Sequence, residues 1–260
     1  MLRIDVITLF PEMFQPFLAA SIVGRAQQAG LTAIHTHQLR DYSLDPHRKV
    51  DDRPFGGGPG MILMCQPVVD AVRAVEALDA TPALRVLLTP QGQPFTQATA
   101  ERLAGQPRLL LLCGHYEGFD ERILDILRPE EISLGDFVLS GGEPAAIALI
   151  DAVVRLLPGA LGNALGTSDE SFQGDRLEYP QYTRPREFEG LAVPDVLLSG
   201  HHGEIAAWRQ QQADERTLRR RPDLLRDHAD FRFRACDLRT SGGSRATSRS
   251  SASAKAALAS

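Results

Sequence analysis

The sequence predicts an α/β fold built on a largely parallel sheet, and three observations carry that prediction. Short apolar runs, at Leu2 to Leu9, Ala33 to Gln38, Leu84 to Leu88 and Leu109 to Leu112, alternate with stretches of helical spacing. Strands joined by crossover helices give that alternation, with both sheet faces covered. Loops rich in glycine or polar residues follow the strands, at Thr89-Pro90-Gln91-Gly92, Gly114-His115-Tyr116-Glu117-Gly118 and Ser140-Gly141-Gly142. Ligands collect beyond the carboxyl ends of strands in such sheets, which is where these loops fall. Finally, 260 residues with 43% hydrophobic and 23% charged side chains suffice for the core of one large domain or two modest ones.

Each element has a local reason. Leu2 to Leu9 alternates as a strand, and Phe10-Pro11-Glu12 ends it. Met13 to Ala29 then reads as one helix, stopped by Gly30. After the strand Ala33 to Gln38, Arg40 to Gly60 is too broken by glycine and proline for regular structure, and reads as a functional loop. Cys65 to Leu78 places Val68, Val69, Val72 and Val75 at helical spacing. Thr96 to Leu103 is a helix between the two apolar strands Leu84 to Leu88 and Leu109 to Leu112. Phe137 to Leu139 reads as a further short strand behind an acidic spacer. Pro144 to Leu157 reads as a buried helix, with proline in its first turn and Gly159 past its end.

Apolar periodicity lapses from Gly159 to Gly174, so the chain is divided into a first domain over 1–160, a linker over 161–175 and a small helical domain over 176–239. Glu204 to Gln212 and Asp214 to Arg221 are the clearest helices of the second domain. Residues 240–260 are serine, alanine, glycine and arginine with almost no large apolar side chain, a composition expected to be disordered.

The formal net charge of −5 argues mildly against a nucleic-acid partner, but its distribution is uneven. Residues 1–175 hold 13 Lys and Arg against 22 Asp and Glu, whereas residues 176–260 hold 15 against 11. The C-terminal third is the basic end, with its densest cluster at Arg216, Arg219, Arg220 and Arg221. That cluster suits phosphate and equally suits a solvated helix face. Cys65, Cys113 and Cys236 lie far apart with no CxxC pair, so neither a disulfide framework nor a zinc site is indicated. Charges interrupt the opening apolar run, and no apolar stretch approaches membrane-spanning length, so a cytoplasmic protein without a membrane partner is expected.

The stretch from Cys113 to Glu143 holds two glycine-punctuated loops beside Tyr116, Glu117, Asp120, Asp136 and Glu143, which could hydrogen-bond a polar cofactor. The same pattern fits a pair of tight turns in an α/β sheet. A dinucleotide-dependent dehydrogenase is disfavoured, because no GxGxxG follows the first strand.

Longer motifs narrow the reading. Thr8-Leu9-Phe10-Pro11-Glu12-Met13-Phe14, Val50-Asp51-Asp52-Arg53-Pro54-Phe55-Gly56-Gly57-Gly58-Pro59-Gly60-Met61, the two glycine loops, and Tyr179-Pro180-Gln181-Tyr182-Thr183-Arg184-Pro185 occur in one order. In them the chain resembles the bacterial tRNA (guanine-N1)-methyltransferases, the TrmD family of knotted SPOUT methyltransferases. The likeness spans nearly the whole chain and stops near Phe231.

The resemblance implies a deep trefoil knot near the second glycine loop, a homodimer whose tRNA sites draw on both subunits, and S-adenosyl-L-methionine as methyl donor. The methyl would go to N1 of guanosine 37 in tRNAs whose preceding residue is also guanosine, in catalysis reported to depend on Mg2+, though no metal ligand is assigned. N1 is a poor nucleophile until its proton leaves, so the chemistry needs a general base, a group for charge on O6, and an aligned methyl. Carried over by position, the cofactor contacts are Thr89, Pro90, Gly114, Tyr116, Glu117, Ser133, Leu134, Gly135, Asp136, Phe137, Val138, Leu139, Gly141 and Gly142. Leu88, Leu134 and Leu139 would give apolar walls or plain core. Glu117 would hold ribose hydroxyls, offset the sulfonium, or sit at a helix N-terminus.

Arg155 corresponds to the arginine that approaches O6. The family's base is an aspartate in an Asp-Ser-Phe pattern, whereas this chain reads Ser168-Asp169-Glu170-Ser171-Phe172. Alignment favours Glu170 as the base and side-chain reach favours Asp169. Candidate tRNA contacts are Arg184, Arg186, His201, His202, Trp208 and Arg209, with Arg48, Lys49 and Arg53 in the early loop; Trp208 equally fits a core position. The shifted carboxylate leaves open an RNA-binding protein that kept the knot and lost the base, and a related knotted enzyme acting on ribose 2′-hydroxyls is the other alternative.

Overall fold

The strand Arg108–Cys113 is buried at all of its positions, because apolar side chains leave it on both faces and meet a helical layer on each. The structure is a computed structural model that describes residues 1–161, 170–172 and 174–225. By contacts the chain divides into two units, Met1–Thr167 and Ser168–Ser260.

In the first unit the elements run β1 (Leu2–Thr8), α1 (Gln15–Ala19), α2 (Ser21–Gln28), β2 (Thr32–Gln38), β3 (Asp51–Asp52), β4 (Ile62–Leu63), α3 (Cys65–Glu76), β5 (Leu84–Pro94), α4 (Gln97–Ala104), β6 (Arg108–Cys113), α5 (Arg122–Leu127), β7 (Glu130–Ser133) and α6 (Glu143–Val154). Five strands form one sheet in the order β2-β1-β6-β5-β7, and every neighbouring pair is parallel. All their carboxyl ends therefore meet at one edge.

The period of two along each strand sends alternate side chains to opposite faces. Ile4, Val6, Leu109, Leu111, Val86 and Leu88 join one core with Val23 of α2, Leu103 of α4 and Leu149, Ile150 and Val153 of α6. Ile7, Leu110, Leu112 and Leu87 join the other with Val68, Val72 and Val75 of α3 and Ile123 of α5.

Several expectations are corrected. Met13 to Ala29 is not one helix: α1 and α2 are separate, and Ser21 stands at φ +52 where they meet. Phe137 to Leu139 is not a strand. The fifth strand is instead Glu130–Ser133, inside the acidic spacer, an edge strand bonded only to β5. Thr89 to Gly92 does not leave the strand; β5 continues to Pro94, with its register against β7 slipping between Leu88 and Gln93. The broken loop from Arg40 to Gly60 contains β3, which pairs antiparallel with β4.

The second unit contains an antiparallel pair, β8 (Glu187–Phe188) with β9 (Leu191–Ala192), and one long helix, α7 (His202–Arg220). The two helices expected there are one, since nothing between Gln212 and Asp214 breaks the ladder. Thr217 is buried on α7, where its hydroxyl donates to Ala213 O at 2.7 Å and accepts from Leu177 N–H at 2.9 Å. Trp208 is only half-buried and packs its ring toward Tyr182, at 6.3 Å between centroids. The expected disorder of residues 240–260 lies outside the described residues.

Candidate cofactor site

A cleft of about 300 Å³ opens at the carboxyl edge of the sheet, between the ends of β5, β6 and β7. Glycines from two loops stand among its walls, at Gly114, Gly118, Gly135, Gly141 and Gly142. The loop after β6 meets the turn before α6: Gly142 N–H donates to Gly114 O at 2.8 Å, and His115 forms an antiparallel bridge with Gly141. A Cβ on Gly142 would stand 2.8 Å from Cys113 Cα and 2.9 Å from Gly114 N, so no larger residue fits between these strands of backbone. In the loop after β7, the Ser133 hydroxyl donates to Gly135 O at 3.1 Å and the Phe137 N–H donates to the same oxygen at 2.8 Å.

The end of the early loop is sewn to the same region. Glu117 N–H donates to Met61 O at 3.0 Å, Leu63 N–H to Gly118 O at 2.9 Å, and Asp120 N–H to Leu63 O at 3.0 Å. The motif from Val50 to Met61 thus ends against the second wall of the cleft. Tyr116 holds φ +61, an uncommon conformation for a residue with a side chain, and accepts a 3.4 Å hydrogen bond on its hydroxyl from Arg40.

Thirteen of the fourteen expected cofactor contacts line this cleft: Thr89, Pro90, Gly114, Tyr116, Glu117, Ser133, Leu134, Gly135, Phe137, Val138, Leu139, Gly141 and Gly142. Asp136 belongs to the same loop but is not in the lining. Leu88 and Leu134 are walls of the cleft as well as members or neighbours of the core, whereas Leu139 lines the cleft and is exposed. Phe137 and Val138 are 54% and 84% exposed, which explains why their apolar run forms no strand: it faces the opening rather than a sheet partner.

Charge in the cleft is one-sided. Glu117, Glu121 and Glu131 line it, and no lysine or arginine does. A site of this kind favours a cationic ligand.

Other residues that could have bound a cofactor are engaged elsewhere. Asp120 is bonded by Arg122 at 2.8 and 2.6 Å, and this pairing outweighs burial and holds its carboxyl well below the usual carboxylate range. Glu143 is buried beneath the cleft, where it accepts from the Thr8 hydroxyl at 2.7 Å. Cys113 is buried beside it, and burial first, then the Glu143 charge, push its thiol well above the ordinary value. Thr8 lies far from His115 and Glu143 in the chain and carries no periodic signal, so nothing in the sequence groups it with them.

Arg155 is the residue that follows α6, half-buried, and is not in the cleft lining. Glu143 opens the same helix at the cleft, and twelve residues at 1.5 Å each separate the two by about 18 Å along the axis. One chain therefore does not bring Arg155 to the glycine loops. Glu170 is half-buried in the second unit, and Asp169 lies outside the described residues.

Among the expected tRNA contacts, Arg48 pairs with Asp41, and Lys49 with Asp52 at 3.1 Å. Arg186 pairs with Asp195 at 3.2 Å, and Arg209 lies over the Tyr179 ring at 4.8 Å. Arg53, Arg184, His201 and His202 are exposed. Cys65 and Cys113 are free thiols. Among the described residues no group of three or more His, Cys, Asp or Glu is arranged to hold a metal, and no helix is long and apolar enough to cross a membrane.

A parallel sheet with an acidic, glycine-lined cleft at its carboxyl edge defines the class of α/β proteins that bind a ligand beyond the strand ends. The sequence of the whole folded region makes that class specific. Residues 2–227 match the family described as tRNA (Guanine-1)-methyltransferase TrmD, and the chain belongs to that family. It is 59% identical over 231 residues to a tRNA (guanine-N(1)-)-methyltransferase of Rhodopirellula baltica, covering 88% of this chain and 96% of that one. A protein of the same name from Chloroflexus aggregans is 55% identical over 224 residues, covering 86% and 88%. Another from Ruminiclostridium cellulolyticum is 53% identical over 225 residues, covering 86% and 96%.

Proposed function

We propose that this protein transfers a methyl group from S-adenosyl-L-methionine to N1 of guanosine 37 in tRNAs that carry guanosine at the preceding position. The observation that carries the reading is the cleft itself, in which thirteen residues expected from the family's cofactor site line one acidic pocket. The donor, when bound, supplies a methyl carbon activated by its sulfonium charge. Its fit is supported by lining carboxylates with no lysine or arginine among them.

The chain's own residues then have separate tasks. Backbone N–H and C=O groups of the loop from Ser133 to Gly142 hold the adenine edge. Leu88, Leu134 and Leu139 close the apolar sides and keep water from the reacting centre. Glu117, Glu121 and Glu131 offset the cationic charge. The Arg155 guanidinium donates to guanosine O6 and stabilises charge that develops there. Glu170 or Asp169 accepts the N1 proton, a step of general-base catalysis worth roughly 10²–10⁴-fold in rate. Magnesium has no donor cluster among the described residues.

A deep trefoil knot at the second glycine loop is part of this proposal, supported by the close passage of Gly142 against Cys113 and Gly114. So is a homodimer. The distance of about 18 Å along α6 between the cleft end and Arg155 supports a site completed by a second copy. A small helical domain from residue 176 would bind tRNA through Arg184, Arg186, His201, His202, Trp208 and Arg209, with Arg48, Lys49 and Arg53 contacting phosphates from the first domain.

Digestion of methylated tRNA to nucleosides tests the reaction class. N1-methylguanosine is the expected product. A 2′-O-methylated nucleoside, or cofactor binding without any methylated product, would overturn the reading.

A further inference from the structure

The stretch Thr8-Leu9-Phe10-Pro11-Glu12-Met13-Phe14 plays no part in the chemistry above, yet its first and third residues touch the foundation of the cleft. Thr8 ends β1 and is fully buried. Its hydroxyl donates to Glu143 Oε1 at 2.7 Å and accepts from the Phe10 N–H at 2.9 Å. Glu143, 1% exposed, directly follows Gly141 and Gly142. Its other oxygen lies 4.0 Å from Nδ1 of His115, a buried nitrogen that has no hydrogen-bond partner. The His115 ring in turn lies against Phe10, at 5.1 Å between centroids, and edge-on to Tyr116, at 5.0 Å.

These contacts close a circuit from the Phe10 backbone through the Thr8 hydroxyl, the Glu143 carboxylate and the His115 imidazole to the Phe10 ring. Three separate segments meet in it: the end of β1, the loop after β6 and the turn before α6. Gly141 sits in the gap, since a Cβ there would stand 2.6 Å from His115 Nδ1 and would collide with the Glu143 carboxylate.

Burying a carboxylate is costly unless hydrogen bonds and local dipoles compensate it. Among the described residues no lysine or arginine is recorded against Glu143, so the Thr8 hydroxyl and the first turn of α6 carry that compensation. The hydroxyl therefore helps to hold the carboxylate beside the place where the two glycine loops meet.

We propose that Thr8 is a positioning residue for cofactor binding. It acts through Glu143 and His115 to set the spacing between the loop Gly114 to Gly118 and the turn Gly141 to Gly142. Thr8 does not line the cleft, so its effect is indirect. The inference rests on the reading of the cleft as an S-adenosylmethionine site.

The test is calorimetric titration of the full chain with S-adenosylhomocysteine, comparing wild type, Thr8→Val, Thr8→Ser and Glu143→Met, with thermal unfolding followed in parallel. Valine keeps the shape and removes the hydroxyl, whereas serine keeps the hydroxyl. Binding is expected to weaken by about tenfold in Thr8→Val and to stay within about threefold in Thr8→Ser, as loss of one buried hydrogen-bond donor implies. Glu143→Met, which removes the acceptor of the Thr8 hydroxyl at a residue outside the cleft lining, is expected to weaken binding by about tenfold as well. Unchanged affinity in Thr8→Val would overturn the proposal, as would equal loss in Thr8→Val and Thr8→Ser, which points to packing rather than the hydroxyl. If Thr8→Val does not fold, Glu143→Met decides, and wild-type affinity there overturns the proposal. A folded wild type that fails to bind the probe instead overturns the reading of the cleft, and this inference with it.

Discussion

Arg108 Nε donates a 3.0 Å hydrogen bond to Asp5 Oδ2 in a place where both side chains are closed off from solvent. The pair ties β6 to β1 at the start of the sheet, and the rest of the guanidinium caps α3. It donates to Val75 O at 2.6 Å, Glu76 O at 3.1 Å, Asp79 O at 2.8 Å and Thr81 O at 3.1 Å. Carbonyls at a helix end lack partners within the helix; those of Val75 and Glu76 accept from the turn that follows, and Arg108 adds a second, charged donor. Asp5 is held in turn by Arg3 at 2.9 and 3.0 Å and lies 2.9 Å from His37 Nε2.

Replacing Arg108 with methionine leaves Asp5 short of a buried donor and the end of α3 without its charged donor. The expected cost is about 3–5 kcal/mol of folding stability, as for other broken buried pairs. Urea unfolding at neutral pH measures it. A variant within about 1 kcal/mol of wild type would show that the network contributes little.

The same network gives an acid dependence whose sign is fixed. Burial pushes the Asp5 carboxyl up, but hydrogen bonds from His37, Arg3 and Arg108 outweigh it and hold it well below its ordinary value of 3.8. The unfolded chain therefore takes up a proton at a higher pH than the native protein does. Stability from Asp5 is whole above the ordinary carboxylate value and is lost as pH falls below it toward the folded value. Urea midpoints for wild type and Asp5→Asn, compared from about pH 5 to pH 3, are expected to fall more steeply for wild type. Parallel slopes would contradict this.

Gly142→Ala places a methyl group 2.8 Å from Cys113 Cα, backbone that cannot turn aside. Cofactor-analogue affinity is expected to fall by more than about tenfold, a loss above about 1.4 kcal/mol. Gly105→Ala is the matched control, because its nearest neighbour would be an ordinary 3.5 Å away. Equal binding by the two variants would mean that the close passage of the loops does not shape the cleft.

The two candidate bases separate by single-turnover methyl transfer. One of Glu170→Gln and Asp169→Asn is expected to slow the transfer by about 10²-fold or more, and the other much less, with cofactor affinity nearly unchanged in both. Small, equal effects would remove the base from this segment.

The sheet was readable because its strands are apolar on both faces. Leu109 to Leu112 fits no other role, and helical spacing at Val68, Val69, Val72 and Val75 assigns its cover. The edge strand was not readable, since Glu130 and Glu131 are half-exposed and bonded on one side only, which frees them from the apolar pattern of inner strands. Phe137 to Leu139 misled for the converse reason: apolar residues that face a cleft look like residues that face a core. The glycine loops were recognisable from family motifs, and spacing alone would have left them as turns. Thr8, Glu143 and His115 come from three distant segments, and only the order of strands in the sheet brings them together.

The most direct test of the central claim is radiolabelled methyl transfer from S-adenosyl-L-methionine to two unmodified tRNA transcripts. One carries guanosine at position 37 after a guanosine, and the other differs by adenosine at position 37. Label is predicted in the first transcript alone, recovered as N1-methylguanosine. Label in both, or in neither while the cofactor binds, would contradict the account.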